Sequence, residues 1–108
     1  MLPQNRRPIH PGEILRYEFL EPLKLTQQKL AAKIGVTRVR INEIIFGKRK
    51  ITPDMAFRLS KYFNTSPDFW MNLQMNIDMW DTFQSYKNEY DNIESISELV
   101  HSNVQATN

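Results

Sequence analysis

Residues 26–50, TQQKLAAKIGVTRVRINEIIFGKRK, constrain the fold more than any other part of the chain. Thr26 and Thr37 each precede a helix-forming segment, where a threonine hydroxyl can accept from the free amides of the first helical turn. Gly35 and Gly47 follow these segments, and glycine commonly ends a helix because it adopts the left-handed conformation without steric cost. The pattern predicts two short helices joined by a tight turn and followed by a basic loop.

The apolar residues of both predicted helices fall at helical spacing on a single face. Ala31 is small enough for two helices to cross closely, and Val36 is short enough to fill the angle between them. We therefore expect the two helices to pack against each other over a shared core. Their inward-facing residues are Leu30, Ala31 and Ile34 in the first helix and Ile41, Ile44 and Ile45 in the second.

The inward stripe leaves a polar and basic surface on the second helix. In a DNA-binding helix-turn-helix, this helix enters the major groove with its N-terminal residues against base edges. Arg38 can bond guanine O6 and N7, Asn42 can bond adenine N6 and N7, and Val39 can pack on a thymine methyl. Glu43 either accepts from cytosine N4 or orients Arg40, and we expect the second. The predicted base-reading residues are Arg38, Val39, Asn42 and Glu43.

Further residues around this surface suit contacts to phosphate. Gln27 begins the first motif helix and can present its side chain and amide to a phosphate, helped by the helix dipole. The basic run after Gly47 lies where the chain leaves the groove, and it would position the protein without specifying a sequence. The predicted phosphate contacts are Gln27, Thr37, Arg40, Lys48, Arg49 and Lys50.

A helical hairpin buried in a larger core is the alternative interpretation, because two capped helices joined at a glycine are common. The basic run and the two arginines on the outer face favour double-stranded DNA as the partner. The distribution of charge agrees, since residues 1–63 carry 13 Lys and Arg against 5 Asp and Glu, whereas residues 64–108 carry 1 against 7. The acidic half is expected either to attract a basic protein partner or to be simply solvated.

The length of 108 residues fits one domain with an appendage. The absence of cysteine excludes disulfides and thiolate zinc sites. The N-terminal MLPQNRRPIH lacks the apolar segment of a signal peptide, and no stretch approaches membrane-spanning length, so we expect a cytoplasmic protein without membrane contact. His10 and His101 lie far apart in the sequence, and the sequence has no phosphate-binding loop motif. We therefore expect no enzymatic activity, metal, cofactor or small-molecule substrate. His10 is expected to lie in a loop or to cap a helix.

Three further helices are predicted around the motif. One spans about residues 12–20 and is ended by Pro22. Another begins after the cap Thr52 and ends at Asn64, and the last begins after Ser66. Their predicted inward residues are Ile14, Leu15 and Phe19 in the first, Ala56, Leu59 and Phe63 in the second, and Phe69, Trp70 and Leu73 in the last.

The last helix continues beyond what a small domain needs, because residues 69–90 contain no Gly or Pro. Besides its inward residues, this helix carries a second row of aromatic and Met side chains, with Ile77 on a neighbouring face. This apolar surface is larger than one monomer would cover, and such surfaces usually mark interfaces. The alternative is that this helix folds back onto its own core. We favour a dimer or partner interface formed by Met79, Trp80, Phe83, Tyr86 and Tyr90.

Residues 9–82 together resemble the HigA antitoxins, also called VapI-like proteins, of the Xre/Cro helix-turn-helix class. The specific segments are HPGEIL before the first helix, RINEI and GKR in the motif, and TSPDFWMNLQ with DMW near the end. Ile77 stands where this family often has an aromatic residue. The segment ESISELV is expected to form a short helix, and the residues after it to be disordered.

The resemblance implies an all-α, five-helix, lambda-repressor-like domain with an extended C-terminal helix and a disordered tail. We expect residues 9–75 to form the DNA-binding domain, 76–98 the helical extension, and 1–8 and 99–108 flexible termini. It also implies a homodimer that binds operator DNA, represses its own operon, and neutralises a RelE-like toxin, HigB. The alternative is a free-standing Xre-type repressor without a toxin.

Overall fold

The computed structural model describes residues 6–97 of the chain. The predicted short helix in ESISELV falls partly outside these residues. The predicted tail 99–108 falls wholly outside them, as does most of the predicted flexible segment 1–8.

Within residues 6–97 the chain forms five helices and no strand, which confirms the predicted all-α class. The first helix, α1, begins as an α-helix and continues with π-helical hydrogen bonding, which the sequence pattern did not predict. The helices are α1 (Pro11–Ile14 continued by Leu15–Leu20), α2 (Gln27–Ile34), α3 (Arg38–Ile45), α4 (Pro53–Phe63) and α5 (Pro67–Asp91).

Side-chain caps begin every helix, which explains why the predicted starts are accurate to within one residue. Oγ1 of Thr26 accepts from the backbone amide of Lys29 at 3.0 Å, and Oγ1 of Thr37 accepts from that of Arg40 at 3.1 Å. The caps of α4 and α5 are Thr52 and Ser66. The cap of α1 is His10, whose Nδ1 accepts from the amide of Gly12.

Three helices end at or just before the predicted left-handed residues. Gly35 ends α2 with φ of 77°, and Gly47 follows α3 with φ of 74°. Asn64 ends α4 with φ of 60°. Each of these residues turns the chain back so that the next helix packs on the previous ones.

The core lies where the apolar faces of all five helices meet, and the predicted inward residues of α2 and α3 are buried in it. In α5 the prediction is only partly confirmed, because Trp70 is fully buried whereas Phe69 lies at the edge of the aromatic cluster and is exposed. The buried apolar residues are Leu15, Leu20, Leu30, Ala31, Ile34, Ile41, Ile44, Ile45, Ile51, Met55, Ala56, Leu59, Trp70 and Ile77.

Two hydrogen bonds fix the first half of α5. Nε1 of Trp70 donates to Oγ1 of Thr65 at 2.8 Å, so the TSPDFW segment fixes the start of the helix. Gln74 is buried, and its Oε1 accepts from the backbone amide of Ile51 at 2.8 Å. Because Ile51 directly follows the basic loop, this bond also fixes the position of that loop.

The first half of α5 packs on the core, and its second half extends away from it. Ile77, expected on a face next to the surface stripe, is instead only 1% exposed. A rise of 1.5 Å per residue gives this 25-residue helix a length of roughly 37 Å. The boundary predicted between residues 75 and 76 falls inside this continuous helix and stays a prediction.

Candidate nucleic-acid interface

The outer face of α3 is accessible because its three isoleucines hold the opposite face in the core. Arg38 and Val39, at the start of the helix, are both exposed, and Val39 has 58% of its surface accessible. In the described part of the chain the Arg38 guanidinium has neither an ion pair nor a hydrogen bond. The five N–H donors of the Arg38 guanidinium are therefore available beside the exposed apolar side chain of Val39.

Asn42 lies one helical turn beyond Arg38 and is half-buried between the two motif helices. Its Nδ2 donates to Oε1 of Gln27, the first residue of α2, at 3.1 Å. The structure therefore joins one predicted base reader directly to one predicted phosphate contact. Sequence spacing could not reveal this pair, because it depends on how α2 crosses α3.

Glu43 does not orient Arg40, which corrects the expectation from their i−3 spacing. It accepts instead from Nε of Arg49 at 2.9 Å, because the left-handed turn at Gly47 brings the chain back toward α3. Arg40 points toward α4, where Nη2 lies 3.6 Å from Oδ2 of Asp54. Within the described residues, Nε of Arg40 is buried without a hydrogen-bond partner.

The basic loop after α3 is exposed at Lys48, Arg49 and Lys50. Arg49 is held by Glu43, whereas Nζ of Lys50 lies 3.3 Å from Oδ1 of Asp78 in α5. Arg49 therefore lies beside the outer face of α3, whereas Lys50 lies beside α5. Surface pairs of this kind are weak and exchange readily with other anions.

Several residues that support this surface were not predicted as functional. Asp78 contacts both Lys50 and the amide of Gln74, so it connects α5 to the basic loop. Arg7 forms a two-point ion pair with Asp81, with distances of 2.8 and 2.9 Å. The Lys50–Asp78 and Arg7–Asp81 pairs join segments that are distant in sequence, so no local signal marked them.

The Arg7–Asp81 pair changes the acidity of both side chains. The hydrogen bond from Arg7 holds the pKa of the Asp81 carboxyl below its usual value, although burial opposes the shift. The same hydrogen bond raises the pKa of Arg7. Both groups are therefore charged over the whole neutral range and link the N-terminal segment to α5.

The five residues predicted as an interface lie along the second half of α5. Tyr86 is 49% exposed, Met79 and Tyr90 are similarly accessible, and Phe83 is half-buried. The rings of Phe83 and Tyr90 stack with centroids 6.1 Å apart, so they form one continuous aromatic surface. Trp80 is also half-buried, and its Nε1 is enclosed with no hydrogen-bond partner among the described residues.

The described residues contain no cluster of His, Asp and Glu suited to a metal ion. No helix in that part of the molecule has the length and apolar character required to cross a membrane.

Comparison with protein families identifies the fold of this surface. The helix-turn-helix family model matches residues 17–70, which include all of α2, α3 and α4. The chain belongs to the helix-turn-helix family. The matched residues contain every base-reading and phosphate-contacting position predicted from the sequence.

Individual helix-turn-helix relatives match beyond the motif. The HTH-type transcriptional regulator YbaQ of Escherichia coli K12 is 42% identical over 98 residues, which cover 89% of this chain and 87% of the relative. The antitoxin HigA-1 of Vibrio cholerae is 39% identical over 85 residues, covering 79% and 80% of the two chains.

The helix-turn-helix fold also matches a solved structure described as the Pseudomonas aeruginosa antitoxin HigA with the higBA promoter. The TM-score is 0.80 at 41% identity, covering 83% of this chain and 99% of that one. The resemblance to the HigA-like group, drawn from HPGEIL and TSPDFW, is therefore confirmed. Both segments now have a structural explanation in the caps of α1 and α5.

Proposed function

We propose that this chain is a sequence-specific DNA-binding antitoxin that represses its own operon and neutralises a RelE-like toxin by direct binding. The observation that carries the proposal is the outer face of α3, where Arg38 and Val39 are exposed beside Asn42 and the basic loop. The HigA relative solved with promoter DNA has the same fold over nearly its whole length, which supports this assignment.

Base recognition is assigned to α3 and positioning to the elements around it. Among the described residues the Arg38 guanidinium bonds to no other group, which suits pairing with guanine, and the adjacent Val39 suits contact with a thymine methyl. The phosphate contacts are assigned to Gln27, Lys48, Arg49 and Lys50, with Thr37 and Arg40 at the entrance of the groove. The pairs that Glu43 and Asp78 make with the loop exchange for phosphate when DNA binds, because exposed ion pairs are weak.

We assign homodimer formation to the aromatic surface of α5. Two-fold binding of paired half-sites is the usual arrangement for readers of this type. An exposed surface of stacked aromatic rings suits burial against a second copy. The acidic residues of α5 carry the complementary role of attracting a basic toxin while keeping this half of the molecule away from DNA.

The DNA-binding part of the proposal is tested by the dependence of affinity on salt. Fluorescence anisotropy with a labelled duplex should give a log affinity that falls linearly with log salt, by about 0.9 per phosphate contact. Replacing Lys48, Arg49 or Lys50 with Ala should weaken binding to all sequences and reduce this slope by about one contact each. Binding that does not respond to salt would contradict the proposal.

The toxin-binding part is tested by capture of the complex from the native host. The tagged chain should retain a small basic protein that is encoded beside it. This small protein should cleave mRNA when it is free and should not cleave mRNA when the chain is bound to it. Failure of the two proteins to associate would remove the antitoxin role. The remaining candidate would be a free-standing repressor, which the similarity to the regulator YbaQ favours.

A further inference from the structure

The hydrogen bond between Gln27 and Asn42 connects two helices at the proposed DNA surface. In it two predicted DNA-facing side chains from different motif helices bond to each other, with Nδ2 of Asn42 donating to Oε1 of Gln27 at 3.1 Å. Both side chains are half-buried, so each is partly shielded and partly accessible from the groove side.

The bond determines what Asn42 can still offer to a base. An asparagine amide has two donor hydrogens and one acceptor oxygen. One donor is occupied by Gln27, and in the described part of the chain Oδ1 accepts from no other side chain or amide. One donor and one acceptor therefore remain, which is the complement of N7 and N6 on the major-groove edge of adenine.

The same bond also fixes which way the amide points. If the Asn42 amide were rotated by half a turn, its oxygen would face Oε1 of Gln27, and two acceptors would oppose each other. If both amides turned, Nε2 of Gln27 would donate to Oδ1 of Asn42, but the Gln27 oxygen would then face the phosphate, so a phosphate bound by Gln27 disfavours the orientation that presents a different pattern to the groove. Meanwhile Nε2 of Gln27 keeps both of its hydrogens for a phosphate oxygen.

We infer that Gln27 is a positioning residue for base recognition, which orients the Asn42 amide so that Asn42 selects adenine. This inference rests on the proposed DNA-reading function and adds a specific role for Gln27 beyond phosphate contact. It also means that the phosphate position and the choice of base are coupled through one pair of side chains.

The test compares discrimination at one base rather than affinity alone. Duplexes are first enriched from a random-sequence pool by the wild-type chain, and each adenine is then replaced in turn by 7-deazaadenine, which lacks the N7 acceptor. Wild type should lose about fivefold or more in affinity at one adenine per half-site, since a good bidentate pair discriminates by roughly 5- to 150-fold. Asn42→Ala should abolish this loss.

Two variants of Gln27 separate positioning from phosphate contact. Gln27→Met removes both the acceptor and the donors, and it should reduce the 7-deazaadenine penalty to less than about twofold. Gln27→Glu keeps an acceptor for Asn42 but repels phosphate, so it should weaken binding to every duplex while it retains the penalty. Thermal unfolding followed by circular dichroism checks that each variant is folded.

The possible failures are distinguishable. If Gln27→Met weakens all duplexes equally and retains the full penalty, Gln27 only contacts phosphate and the inference is wrong. A wild-type chain that enriches a defined sequence but has no sensitive adenine would also overturn it, while leaving DNA reading intact. A pool in which no sequence is enriched would overturn the proposed function together with this inference.

Discussion

Gly12 occupies a position where the backbones of two helices come into direct contact. A Cβ on this residue would collide with the carbonyl oxygen of Ile44 and lie 2.8 Å from Cα of Ile45. The glycine of HPGEIL therefore allows α1 to approach the end of α3. The sequence could predict a helix start here, but the close approach depends on a partner more than 30 residues away, which no local pattern reveals.

We predict that Gly12→Ala separates α1 from α3 and lowers the free energy of unfolding by about 3 kcal/mol, at the upper end of overpacking effects. Urea denaturation measures the change. Glu13→Ala, at the exposed neighbouring position, is the matched control and should change stability by no more than about 0.5 kcal/mol. Equal effects of the two substitutions would contradict the packing argument.

His10 makes the start of α1 sensitive to pH. Burial, with the charge of Arg7 acting in the same direction, lowers the pKa of the His10 imidazole below its usual value. Its Nδ1 must remain unprotonated to accept from the amide of Gly12. The unfolded chain binds this proton more readily than the folded chain does. The contribution of the cap to the free energy of unfolding is therefore fully present above a pH of about 6.5 and falls as the pH decreases below that value.

We predict that His10→Asn keeps the cap and removes this pH dependence, since asparagine accepts at an N-cap without titrating in this range. His10→Ala should instead lose about 1 kcal/mol at pH 8, because the cap is lost at every pH. Thermal unfolding of the three proteins between pH 5 and 8 distinguishes these outcomes. A wild-type stability that does not change relative to His10→Asn would contradict the capping role.

At the scale of helices, the sequence predicts this fold well, because every start has a side-chain cap and three ends have a left-handed residue. Thr26, Thr37, Thr52 and Ser66 each determine a boundary through a bond within three residues. The π-helical second half of α1 was not predicted, since no comparable local bond marks it. The burial of Ile77 was also missed, because it depends on tertiary packing and not on a local pattern.

The aromatic surface of α5 gives a prediction about assembly. Tyr86→Asp places a charge in the middle of the proposed interface, so we expect sedimentation to show a shift from dimer to monomer. The side chain is largely exposed, so the folded monomer should keep its helical circular dichroism. Asn88→Asp, on the opposite face of α5, is the matched control and should remain a dimer. Loss of the dimer in both variants would implicate charge rather than this surface.

At the scale of the whole molecule, charge is divided between the two parts of the sequence. The first 63 residues carry a formal charge of +8 and the rest carry −6. This division was readable from the sequence, but the contacts that join the two parts were not. Arg7 reaches Asp81 across 74 positions, and Asp78 pairs with Lys50, so α5 is attached directly to the basic loop.

We propose that the outer face of α3 reads base sequence, whereas the loop beside it only binds phosphate. The most direct measurement compares the affinities of wild type, Arg38→Ala and Lys48→Ala for an enriched duplex and for a scrambled duplex of equal length. Both duplexes are measured at the same salt concentration. Arg38→Ala should cost roughly 1–3 kcal/mol on the enriched duplex alone, and Lys48→Ala should weaken both duplexes equally. An Arg38→Ala variant that weakens both duplexes by the same factor would contradict the claim.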